Sequence, residues 1–128
     1  MAKSQFKALR AGGRVAGLTK NLHFKIADYP KSAKYGVVFE NHDPSARDGS
    51  VTTVTLSLGD KKVVFNDRFW VAESVEKAYK EAGFVDFEWV KYTPNAGSKA
   101  ESDPFYDDWM LNGIAPLTCF RAFKPAAI

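Results

Sequence analysis

One cysteine, two histidines and two methionines in 128 residues exclude several kinds of chemistry at the outset. A lone thiol, Cys119, cannot form an internal disulfide, so packing must hold the chain together and a reducing, cytoplasmic setting is the expectation. His23 and His42 have no second His or Cys at ligand spacing, which argues against a metal centre. No apolar run approaches the ~20 residues that cross a bilayer. The polar opening Met-Ala-Lys-Ser-Gln lacks the apolar stretch of a secretory signal. There is no Gly-x-Gly-x-x-Gly or relaxed version of it, so the glycine loop that cradles nucleotides is missing. Nor is charge of one sign dominant: 18 basic and 15 acidic side chains leave a net charge of +3.

What is present is core-forming material, 45% hydrophobic and 14% aromatic, in a length that suits a single domain over residues 1–128. Basic charge gathers early, where Lys3, Lys7, Arg10, Arg14, Lys20, Lys25, Lys31 and Lys34 face only Asp28. That pattern reads as a solvated face beside an acidic neighbour. It lacks the aromatic platform of a single-strand binder, so no nucleic-acid partner is expected.

The pattern along the chain alternates. Residues 3–11 read as a helix with Phe6 and Leu9 inward, stopped by Gly12-Gly13. Arg14 to Leu18 is short and almost wholly small or apolar, which suits a strand buried on both faces. Asp28 can open a helical turn over 28–34. From Tyr35 the period becomes two, with Val37 and Phe39 on the face of Tyr35. Ser50 to Leu58 sets Val54, Leu56 and Leu58 on one side and threonines on the other. Gly59-Asp60 turns into Lys62 to Phe65, completing an antiparallel meander over 35–66. Ser74 to Ala82 carries Val75, Ala78, Tyr79 and Ala82 at helical spacing, with Ser74 as cap and Gly83 as terminator. Val85, Phe87 and Trp89 alternate with acids as a half-exposed strand. Asp103-Pro104 opens a further helix, and Leu117 to Phe123 is the last strand.

That order, with Leu9-Arg10-Ala11-Gly12-Gly13-Arg14-Val15 at one joint, Ala82-Gly83-Phe84 at another and Leu117 to Phe123 followed by Lys124-Pro125 at the end, resembles the C-terminal half of a class I S-adenosylmethionine-dependent methyltransferase of the small-molecule type. Alanine stands where that family often has proline before the paired glycines. The resemblance implies an α/β fold, α+β-like as a fragment. It would be the C-terminal part of a Rossmann-like sheet with strand order 5-7-6, carrying the meander as an insertion over the substrate. It also implies that the parts holding S-adenosylmethionine are missing from these 128 residues. Hence no catalytic and no cofactor-binding residue is assigned, and this chain alone is expected neither to bind the cofactor nor to transfer a methyl group.

The substrate-side wall is the chemistry left to it. His23, just past the first strand, and the aromatic residues Tyr29, Tyr35, Phe69, Trp70, Tyr106 and Trp109 are the candidates for lining a small-molecule pocket. His42 falls in a polar turn and reads as an ordinary loop histidine. Asp103, Asp107 and Asp108 are explained by the first turn of a helix. Cys119 reads as an inert thiol inside a strand. The strand at 14–18 would lack its neighbour from the missing half, so a second copy or a partner chain is expected to cover the edge near residues 6–18. The rival reading is a non-catalytic α+β module that binds a ligand or a protein.

Overall fold

The computed structural model describes residues 1–23, 25–90 and 117–127. They divide into two compact units. One joins Met1–Asn21 to the described residues from Glu73 onward, and the other is Leu22–Ala72. The expected helix at 103–113 lies outside the described residues.

The first unit holds helix α1 (Ala2–Ala8), strand β1 (Arg14–Lys20), and from the second half of the chain helix α2 (Ala72–Ala82), strand β5 (Val85–Val90) and strand β6 (Leu117–Phe123). Its sheet runs β1-β6-β5, with β6 antiparallel to both neighbours. The resemblance implies the same neighbours, 14–18 beside 117–123 and 117–123 beside 85–91. Both helices cover one face. Tyr79, Phe84, Phe120 and Ala122 are buried there, with Phe6, Leu9, Val15, Val75, Phe87 and Trp89 packed around them.

Aromatic rings organise this core. Phe120 stacks on Phe87 with centroids 5.7 Å apart and meets Tyr79 at 5.1 Å. Gly17 lies directly across from Phe120 in the ladder. A Cβ on Gly17 would come within 2.5 Å of the Phe120 ring, so the missing side chain makes room for the ring to lie over β1. Two polar tips inside the cluster are satisfied: Tyr79 Oη donates to Gln5 Oε1 at 2.8 Å, and Trp89 Nε1 donates to Glu76 Oε1 at 2.6 Å.

Three local expectations are corrected. Helix α1 ends at Ala8, not at residue 11. Leu9 turns extended, with its side chain packed into the core, and the Lys124 ammonium donates to the Phe6 and Leu9 carbonyls at 2.8 Å each. Those last carbonyls are satisfied by a cation from the far end of the chain, so no further helical turn is needed. Helix α2 begins at Ala72, which places Ser74 within its first turn and not at the cap. Just before it, Val71 N–H donates to Asp48 Oδ1 at 2.7 Å, a partner 23 residues away. Third, among the described residues β1 is covered on one face only: Arg14, Ala16 and Leu18 are exposed, Leu18 by 61%. Cys119 sits on that same open face between Leu18 and Val90 and is half-exposed, not buried.

The second unit is a 3-10 helix (Ile26–Tyr35) followed by strands β2 (Val37–Glu40), β3 (Val51–Leu58) and β4 (Lys61–Arg68) in an antiparallel sheet of order β2-β3-β4. The helical turn expected at 28–34 is thus longer and wound more tightly. Gly36 closes it in the left-handed region at φ 79°. Val54 is buried as expected, but Thr52 on the same side is buried too, and Leu58 is 62% exposed. The inward side of β3 is thus closed at Thr52 and Val54 and open at Leu58.

Gly17→Ala is expected to destabilise the fold by about 1–3 kcal/mol through overpacking against Phe120. Thermal unfolding checks this. An unchanged midpoint would mean that the ring does not rest over Gly17.

Candidate functional site

A cavity of about 420 Å³ opens in the Leu22–Ala72 unit between the 3-10 helix and β2, lined by Ile26, Tyr29, Pro30, Val38, Phe39, Glu40 and His42 among others. Its frame is set by one buried hydroxyl. Ser32 is fully buried, and its Oγ lies 2.7 Å from the Tyr29 carbonyl and 2.6 Å from the Val37 carbonyl. The hydroxyl ties the 3-10 helix to the start of β2, which places Tyr29 against the strand.

Tyr29 is 3% exposed. Its ring lies 4.6 Å from Phe39 and meets the His42 imidazole edge-on at 5.2 Å. Burial, reinforced by the negative charge of Asp67, pushes its phenol above the ordinary tyrosine range. The turn after His42 is fixed by Asp43, whose carboxylate accepts from the Ser45 amide, the Ser45 hydroxyl and the Arg47 guanidinium. These bonds, those from Ser45 foremost, hold the Asp43 carboxyl down at about 2. These bonds close the turn immediately beyond the imidazole.

His42 Nδ1 is buried and has no hydrogen-bond partner, the one such side-chain atom among the described residues. An unpaired buried polar atom costs about 1–3 kcal/mol. It therefore marks a position whose identity is not set by stability.

Of the sequence candidates, Tyr29 lines this cavity and the other described ones do not. His23 is exposed. Tyr35 is half-buried with the Lys34 ammonium 5.3 Å from its ring centre. Phe69 is buried and Trp70 is 45% exposed. Tyr106 and Trp109 lie outside the described residues. Phe39 and His42 were passed over as site residues: Phe39 shows only as a strand position, and His42 follows a strand end where nothing in the local pattern reveals that the 3-10 helix packs back.

The other unit carries a shallower hollow of about 510 Å³ on its open sheet face, where Ala16, Leu18, Val90 and Cys119 lie between Arg14 and Arg121. Arg121 is engaged by Glu88 at 2.6 Å. Among the described residues no group of three His, Cys, Asp or Glu side chains is placed to hold a metal, and no helix is long and apolar enough to cross a membrane.

The sequence matches no family model and no curated protein. Solved structures do resemble it. A protein from Listeria monocytogenes assigned as an S-adenosylmethionine dependent methyltransferase matches 96% of this chain with a TM-score of 0.61 at 13% identity. An S-adenosylmethionine-dependent methyltransferase from Clostridium acetobutylicum matches 98% with a TM-score of 0.43, also at 13% identity. The chain spans about half the length of each, 53% and 50% respectively. The likeness to the Listeria protein is one of fold: this chain has a mixed α/β, methyltransferase-like fold.

Two measurements test the site's physics. His42→Phe is expected to leave stability unchanged or raise it by about 1 kcal/mol, because an unpaired nitrogen gives way to carbon; a clear loss would show that Nδ1 has a partner. Tyr29, and Tyr79 in the other unit, both have pKa values raised chiefly by burial. The folded state therefore holds these protons more tightly than the unfolded state. Their contribution is complete below pH 10 and is lost as pH rises through the raised values. A thermal midpoint that stays flat from pH 9 to 11.5, in a titration where Tyr29→Phe also changes nothing, would contradict this.

Proposed function

We propose that this chain is the substrate-side half of a small-molecule methyltransferase of the S-adenosylmethionine-dependent class. In this reading β1, β6 and β5 are the fifth, seventh and sixth strands of the family sheet, and the Leu22–Ala72 unit is the insertion that covers the substrate. The observation that carries the proposal is the fold likeness, which takes in 96% of this chain and only 53% of the Listeria protein. The antiparallel placement of β6 between β1 and β5 supports it.

The described residues do not fit the cofactor. Gly12 and Gly13 are the only paired glycines in the sequence, and their amides are already used: Gly12 N–H donates to the Pro125 carbonyl and Gly13 N–H to the Arg10 carbonyl. Neither is left to cradle a methionine carboxylate or a ribose. No step of methyl transfer is therefore assigned to this chain. Its contribution is positional, since transfer from an activated sulfonium depends mainly on holding the nucleophile in line and excluding water. The cavity walled by Tyr29, Phe39 and His42 suits that role for a small, partly apolar substrate.

The exposed face around Ala16, Leu18, Val90 and Cys119 supports the second part of the reading. Among the described residues no strand pairs with the outer edge of β1. A partner covering residues 6–18 would remove both the edge and the apolar face from water, and the complementary cofactor-binding half is the partner that fits.

Calorimetry with S-adenosylmethionine is the direct test. The isolated chain is expected to show no micromolar complex, and a stoichiometric micromolar one would sink the proposal. The rival reading, a self-contained binding module, rests on the Leu22–Ala72 cavity alone. It would gain if a small ligand bound there tightly with no methyl donor and no second chain.

A further inference from the structure

Strand β4 is built unlike an ordinary sheet edge. It pairs with β3 in unbroken register over eight residues, from Lys61↔Leu58 to Arg68↔Val51, with no bulge and no proline. Among the described residues nothing pairs with its other side. Its centre is apolar on both faces yet open: Val63 is 45% exposed, Val64 63% and Phe65 43%. Soluble proteins shorten, bend or charge such edges. The opposite edge, β2, is treated that way, being four residues long and tied to the 3-10 helix through Ser32. On β4 the charges stand only at the ends, with Lys61 and Lys62 before the apolar centre and Asp67, whose carboxylate also accepts from the Arg68 amide, and Arg68 after it.

We infer that β4 is a self-pairing edge, on which a second copy of this chain docks to form a continuous six-stranded antiparallel sheet. The occupant follows from charge complementarity within the strand itself. Two antiparallel copies related by a two-fold axis must keep matching faces on the same side, so directly opposed residue numbers sum to an even value. Centring the axis on Val64 opposes Lys61 with Asp67, Val63 with Phe65 and Val64 with its own copy. Each pair then occurs twice except the central one. Opposite charges meet at both ends, and β-branched and aromatic side chains meet between them, which are the pairings that stabilise neighbouring strands. Shifting the axis to Phe65 opposes Lys62 with Arg68 and Val63 with Asp67, placing like charges together and an apolar side chain against a carboxylate. Shifting it to Val63 opposes Lys61 with Phe65 and Lys62 with Val64. Of these three registers, the one centred on Val64 alone sets Lys61 against Asp67, keeps the apolar side chains together, and leaves Lys62 opposite the neutral Asn66 and Arg68 opposite Asp60. Lys61, which would repel an unrelated basic edge, is thereby the group that selects this one.

The inference is independent of the methyltransferase reading, because it uses the Leu22–Ala72 unit only. Sedimentation of the full chain from 1 to 500 μM is expected to show a reversible monomer–dimer equilibrium built on the 14.2 kDa protomer. Val64→Lys, which sets two ammonium groups on the axis, should weaken association at least tenfold while circular dichroism stays unchanged. Lys61→Glu should weaken it similarly, and Lys61→Glu with Asp67→Lys should restore it. In a Cys119→Ser background, Val64→Cys should oxidise to a covalent dimer faster than Leu58→Cys, which is equally exposed but off the axis. A chain that stays monomeric across the range would overturn the inference. So would a dimer indifferent to Val64→Lys but broken by Leu18→Glu, which would mean association through the β1 edge instead.

Discussion

The first unit depends on where one ring can lie. Phe120 sits at the middle of β6, the strand that both neighbours must pair with, and its ring needs the space over β1 that only Gly17 leaves open. With that space filled by the ring, Tyr79 and Phe87 close on it from the helix and from β5. Helix α2 is thereby located on the same face as α1, and the opposite face is left without cover from either. The exposed run of Ala16, Leu18 and Val90 is the complement of this choice, because both helices are drawn to the aromatic side.

The second unit is governed by a hydroxyl in place of a ring. Ser32 Oγ lies within hydrogen-bond distance of two carbonyls, one on the 3-10 helix and one on β2, and its single proton shared between them ties the helix to the sheet. Tyr29 and Phe39 pack as a result, and the imidazole of His42 is carried against them with one nitrogen unsatisfied. Stability alone does not explain a polar atom in that position. Its place in the wall of a cavity is what gives the cavity a claim to be the functional part of the unit.

The two units present different kinds of unfinished surface. The β1 face is apolar across three strands and suits broad cover by another α/β layer. The β4 edge is narrow and carries its own charge code, which suits a copy of itself. Reading one as the junction to a complementary half and the other as a self-association edge assigns each surface the occupant that its chemistry fits.

Local pattern determined a good part of this. The period-two run at 51–58, the helical spacing of Val75, Ala78, Tyr79 and Ala82, and the glycine after Ala82 each depend on neighbours within a few residues, so they can be read directly from the chain; the alternation at 85–89 is instead interrupted by a bulge between Val85 and Glu88, which leaves Val85 exposed. The order of strands in the first sheet was legible too, through a resemblance carried by the joints around Gly12-Gly13 and Ala82-Gly83-Phe84. Tertiary structure alone decided the rest. Leu9 leaves its helix, and the carbonyls there are satisfied by Lys124. Thr52 is buried on the inward side of β3, while Leu58, apolar and in phase, is left in water. Cys119 faces outward because the helices took the other side of β6. His42, a turn residue by sequence, became part of a cavity wall because Ser32 folds a segment ten residues earlier back over it. In each case the partner is distant along the chain, and periodicity records only which side a residue faces, not what comes to cover it.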